Sequence, residues 1–115
     1  MTYVDGFLVP VPAGNKHAYL KLAQEASEIF REHGALRVVE AWQDDVKAGK
    51  TNDFFTAVKR EGDEAVVFSW IEWPSKAARD EGMAKAFKDP RMKMTDMPFS
   101  GERLIYGGFS VIVDR

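Results

Sequence analysis

A chain of 115 residues with no cysteine, carrying 16 Lys and Arg against 18 Asp and Glu for a formal net charge of -2, has the size of one self-sufficient domain and offers neither disulfides nor thiolate metal sites. This balance gives no long-range attraction to a polyanion, so nucleic acid is not an expected partner. Met1 to Val11 shows no basic region followed by a long apolar run. Neither a secretory signal nor a membrane span is therefore expected, and the chain reads as a soluble, cytoplasmic protein with residues 1–115 forming one domain.

The first element is a strand from Tyr3 to Val11, ended by Pro10 and Pro12, which cannot donate to a ladder. Asn15 is a candidate N-cap for a helix reaching about His33, in which Tyr19, Leu22, Ala23, Ala26, Ile29 and Phe30 recur at three- and four-residue spacing as one apolar stripe. Gly34 is the expected left-handed stop. Leu36 to Val46 alternates as a second strand, Asp44 to Asp53 reads as a loop, and Phe54 to Lys59 is expected to be a short extended segment.

The run Glu64 to Trp73 concentrates β-branched and aromatic residues between Gly62-Asp63 and Pro74-Ser75, which predicts a central strand. Ser75 then caps a helix to about Lys88 that turns Ala78, Gly82, Met83, Ala86 and Phe87 toward the sheet. A glycine at position 82 weakens a helix by roughly 1 kcal/mol relative to alanine, and so points to close approach. Asp89-Pro90 is expected to open a short helical turn through Met94. Leu104 to Val113 is the last strand, and its Gly107-Gly108 pair implies a bulge, a sharp twist or close approach of another group.

The order strand, helix, strand, strand, helix, strand predicts the α+β ferredoxin-like βαββαβ fold, two helices on one face of a four-stranded antiparallel sheet whose first and third strands are central. The other face needs cover, and dimerisation supplies it. Strand parity, taken with Val67, Ile71, Leu8, Val39 and Ile105 facing the helices, collects Tyr3, Asp5, Phe7, Glu40, Trp42, Phe68, Trp70, Glu72, Tyr106 and Ser110 on that second face. Aromatic rings with carboxylates among them suit a partly wet cavity.

Tyr3-Val4-Asp5-Gly6-Phe7, His33-Gly34-Ala35, Val66-Val67-Phe68-Ser69-Trp70-Ile71, Asp89-Pro90-Arg91 and Met97-Pro98-Phe99 with Gly107-Gly108-Phe109 together span nearly the whole chain. In this order they resemble the YbaA-like family of small bacterial proteins of unknown function. The resemblance implies the dimeric α/β-barrel group, in which two ferredoxin-like sheets pack face to face. It supplies no established catalytic residues.

Asp5, Glu40 and Glu72 are the candidate acid–base groups, since burial among rings disfavours an ionised carboxylate. The competing reading pairs Asp5 and Glu40 with Arg37 or Arg103, or leaves them in solvent. Tyr3, Phe7, Trp42, Phe68, Trp70 and Tyr106 are the candidate cavity or dimer face; Trp42 and Trp70 either stack a planar ligand or pack subunits. No metal site is expected, because the carboxylates lack loop spacing and His17 and His33 stand at opposite ends of one helix. Gly107-Gly108 lacks the strand-to-helix setting of a phosphate loop, so no nucleotide or other cofactor is expected. Two functions remain open. One is a small-molecule enzyme, by fold analogy a cofactor-independent oxygenase, or a ligand-binding protein using the sheet-face cavity; the other is a non-catalytic homodimeric binding or regulatory module.

Overall fold

The computed structural model describes residues 2–93 and 95–115. Seven elements follow one another: β1 (Tyr3–Val11), α1 (Lys16–Glu32), β2 (Arg37–Trp42), α2 (Phe54–Ala57), β3 (Ala65–Trp73), α3 (Lys76–Lys88) and β4 (Ile105–Ser110). The strands form one antiparallel sheet in the order β2-β3-β1-β4. This is the ferredoxin-like arrangement, with β1 and β3 central and both long helices on one face. No helix among the described residues is long and apolar enough to cross a membrane.

The helix boundaries have local causes. A short 3-10 turn, Ala13–Asn15, leads into α1. Asn15 stands at the N-cap position but makes no side-chain cap bond; its Nδ2 instead donates to the Pro98 carbonyl at 3.2 Å, which ties the helix start to the 95–104 connector. Gly34, at φ 110°, stops α1 in the left-handed region that glycine occupies without strain. Ser75 caps α3 by accepting from Ala78 N at 3.1 Å.

Four elements differ from the sequence reading. Phe54–Ala57 is a helical turn and not an extended segment, because Asp53 and Thr56 form a reciprocal capping box that satisfies both backbone donors. The Asp89-Pro90 turn closes with Met92 N donating to the Asp89 carbonyl at 3.0 Å and forms no helix among the described residues; Met94, its expected end, lies outside them. β2 and β4 are shorter than expected, ending at Trp42 and Ser110.

Register decides which side chains share a face. Residues directly opposite in an antiparallel pair point the same way. Tyr3 pairs with Trp73, Asp5 with Ile71, Phe7 with Ser69 and Val9 with Val67; Val38, Glu40 and Trp42 pair with Ile71, Ser69 and Val67; and Tyr106 pairs with Phe7. All of these lie under the helices, where Tyr3, Ile71 and Trp73 form one buried cluster and Val9, Val11, Tyr19 and Val67 another. Phe68, Trp70 and Glu72 lie on the opposite face with Leu8, Val39, Ile105 and Phe109.

The ten-residue face expected from parity is thus split. Tyr3, Asp5, Phe7, Glu40, Trp42, Tyr106 and Ser110 belong to the helix side, while Phe68, Trp70 and Glu72 belong to the far side. Leu8, Val39 and Ile105, expected under the helices, also lie on the far side. Parity within each strand is as read; the phase between strands is not, because register is set across the ladder and a one-residue offset exchanges the faces.

Candidate functional site

Between α1, α3 and the sheet lies a cavity of about 620 Å³. Its floor is the helix-side face, and one row runs across all four strands: Glu40 on β2, Ser69 on β3, Phe7 on β1 and Tyr106 on β4. Phe7 and Tyr106 stack, with ring centroids 6.3 Å apart. α1 contributes Tyr19, Ala23, Ala26, Ser27 and Phe30 to the walls, and α3 contributes Met83 and Phe87. Small residues on α1 open the space, since alanine and serine leave volume that larger side chains would fill. Phe99 and Leu104, from the connector before β4, close one end, with Phe99 edge-on to Tyr19 at 5.9 Å.

Two polar groups break the apolar lining. In the first, the Tyr19 hydroxyl donates to Glu40 Oε1 at 2.7 Å. By its accessible surface Glu40 is exposed, through the open side of the cavity. Partial loss of bulk solvation nevertheless pushes its pKa above the usual carboxylate value, and hydrogen bonds with Tyr19 and Ser69 oppose that rise without cancelling it. Burial, followed by the Glu40 charge and hydrogen bond, likewise raises the Tyr19 phenol well above its ordinary range. The pair is therefore poised so that Tyr19 stays a donor and Glu40 holds a proton more readily than a free carboxylate.

The second group is Asp5 with Arg79. Asp5 is 3% exposed, accepts from Trp73 Nε1 at 2.9 Å and takes Arg79 through Nε at 3.1 Å to both oxygens and Nη2 at 2.9 Å to Oδ1. Arg79 Nη1 donates to Asp80, and the guanidinium lies over the Tyr3 ring. Those bonds hold Arg79 firmly protonated, the hydrogen bond with Asp5 being the largest cause. Gly108 makes the arrangement possible, since a Cβ there would collide with Arg79 Nη2 and the Tyr3 hydroxyl and stand 2.8 Å from Tyr3 Cε2. Close approach, and not a bulge, explains this half of the paired glycines, for β4 keeps regular register through Gly107 and Gly108.

Of the candidate carboxylates, Asp5 and Glu40 come together in this cavity, two strands and one two-residue step apart, about 12 Å between Cα positions from strand spacing and rise. Glu72 does not join them. It accepts from Trp70 Nε1 at 2.9 Å and lies 3.6 Å from Arg37 on the far face. Asp5 finds its cation on α3, not at Arg37 or Arg103; Arg103 instead holds the buried Glu64 through both guanidinium ends. Tyr19, Ser69 and Arg79 were missed as site residues. The spacing of Tyr19 places it in an apolar stripe, and nothing in that spacing separates a core tyrosine from one that reaches a carboxylate across the interior. The two histidines are apart: His33 meets Asp89 at 3.1 Å, and His17 is exposed. Among the described residues no group of three His, Asp or Glu side chains is placed to hold a metal ion.

Residues 2–101 match the family described as "Protein of unknown function (DUF1428)". The chain is 56% identical over 117 aligned positions to the uncharacterized protein YbaA of Escherichia coli K12, covering all of both chains, and the YbaA of Shigella flexneri matches equally. Among solved structures, Rv0793 from Mycobacterium tuberculosis superposes with a TM-score of 0.55 at 12% identity, over 99% of this chain and 98% of that one. At that identity the likeness speaks for the fold alone.

Proposed function

We propose, for a chain that belongs to the DUF1428 family of proteins of unknown function, that it binds a small, largely apolar molecule in the cavity between sheet and helices and moves a proton on it. The observation that carries this is the Glu40–Tyr19 pair, which joins floor and wall of a largely apolar space. The volume lies within the range of small-molecule sites, which are typically apolar with few polar groups. A carboxyl with a raised pKa exchanges its proton closer to neutral pH, as a general acid or base does. Ala26 lies in the cavity wall, so Ala26→Trp takes up part of the space while leaving the Glu40 and Tyr19 side chains in the sequence.

A thermal-shift screen of metabolites on the purified chain tests the reading. Binding restricted to the native state raises Tm, so compounds are expected that stabilise the natural protein and not Ala26→Trp. If no compound gives a shift that this variant removes, the cavity is not a ligand site.

A second reading, a non-catalytic homodimeric module, draws on the far face. Phe68, Ile105 and Phe109 stand 47%, 44% and 61% exposed there, and α2 covers only part of the sheet, where Phe54 meets Phe68 edge-on. An apolar sheet face of this kind calls for a partner, and a second copy is the simplest. Dimerisation through the far face and a ligand in the cavity are compatible, since the two lie on opposite sides of the sheet; the readings differ in whether any chemistry takes place. Absence of cysteine suits a reducing compartment, and we place the protein in the cytoplasm on that ground.

A further inference from the structure

We propose that the cavity takes an organic cation, a protonated amine carried on a flat apolar body, with the ammonium against Glu40 and the body among the aromatic rings. This deepens the reading of the cavity as a ligand site and rests on it.

Charge partners decide which ligand the cavity favours. Four charged side chains face the cavity: Asp5, Glu40, Arg79 and Asp80. Arg79 is the cation among them, and it is committed, with Nε and Nη2 on Asp5 and Nη1 on Asp80. Asp80 also holds Lys76 at 3.0 Å on the outer side of α3. Among the described residues Glu40 alone of the four has no basic partner; its contacts are the Tyr19 hydroxyl and Ser69. A carboxylate offers about four lone-pair sites, so two hydroxyls leave acceptor capacity for an incoming N–H.

A carboxyl partly withdrawn from water and unpaired is an unfavourable arrangement that a cation relieves. The rings of Phe30, Phe87, Phe99 and Tyr106 add π faces whose negative quadrupole attracts an ammonium and packs an apolar body. The same lining has little for an anion: its one guanidinium is neutralised, and Glu40 repels. A neutral ligand gains the rings but leaves Glu40 unpaired.

Three naphthalene compounds of matched shape separate these cases: naphthylethylamine, naphthylethanol and naphthylacetate, each titrated into the full chain by calorimetry. The amine is expected to bind at least about tenfold more tightly than the alcohol, a difference of about 1.4 kcal/mol, with the acid weakest. Glu40→Gln should bring the amine to the level of the alcohol while leaving the alcohol unchanged, and Ala26→Trp should abolish amine binding. Alcohol or acid binding as tightly as the amine overturns the proposal without any variant. So does an amine preference that survives Glu40→Gln, or amine binding that survives Ala26→Trp. If none of the three binds, the amine proposal falls, while the metabolite screen against Ala26→Trp still decides whether the cavity is a site.

Discussion

Glu40 has a folded-state pKa above its ordinary value of 4.5, and this has a thermodynamic sign. The folded chain holds that proton more firmly than the unfolded chain does. Below 4.5 both states are protonated and no difference arises. As pH climbs through the raised pKa the folded state must ionise a group it would keep neutral, so stability is lost. Glu40→Gln cannot ionise and escapes this loss. Its stability relative to the natural protein should therefore grow as pH rises from acid toward neutral, measured by urea unfolding at a series of pH values. Glu64, Asp80 and Asp89, with pKa values lowered chiefly by bonds from Arg103, Arg79 and Arg91, act in the opposite sense in both proteins and cancel from the difference. A difference flat with pH would show that Glu40 is not desolvated.

Among the elements, α3 shows how a single missing side chain sets a packing distance. Gly82 is buried in the middle of the helix, where alanine would be the better helix former by about 1 kcal/mol. A Cβ at that position would meet the Trp73 ring, with Cη2 at 2.9 Å, and the His33 carbonyl oxygen at 2.5 Å. Trp73 is 0% exposed and the carbonyl is backbone, so neither can yield cheaply. Gly82→Ala should thus destabilise the protein, by roughly 1–3 kcal/mol as overpacked cores do, and lower Tm in a thermal melt. An unchanged or raised Tm would mean that α3 rides further from β3 than this packing requires. The same helix carries Arg79 to Asp5, so the distance that Gly82 sets also fixes one wall of the cavity.

At the scale of the whole molecule, the sheet separates two surfaces of different use. Its helix side holds the core and the cavity. Its far side keeps large apolar groups in water, and the homodimer proposed from that exposure is testable apart from any ligand. Sedimentation at micromolar concentration should give a dimer for the natural chain, and Phe68→Glu, which places a charge amid the exposed patch, should give a folded monomer by circular dichroism. A natural chain that sediments as a monomer would remove the dimer. The 95–104 connector joins the two sides: Phe99 closes the cavity while Arg103 bonds the Val58 and Lys59 carbonyls, next to α2.

By itself the sequence determined the order of strands and long helices, the central place of Glu64 to Trp73 and the stop at Gly34, because each follows from local chemistry: side-chain bulk, caps, and backbone freedom; at Gly82 it pointed to close approach, and only the packing on Trp73 and His33 showed what approaches. The short turn at Phe54–Ala57 escaped it, since a capping box at Asp53 and Thr56 outweighed the strand preference of Phe54 and Phe55. Which strand faces coincide was settled only in the tertiary structure. The phase between strands depends on long-range register, and that register places Asp5 and Glu40 under the helices while sending Glu72, Phe68 and Trp70 to the other side. Partnerships across the interior, Tyr19 with Glu40 and Arg79 with Asp5, join residues 21 and 74 positions apart in the chain; no spacing rule reaches that far, and only the packing of α1 and α3 on the sheet brings them together.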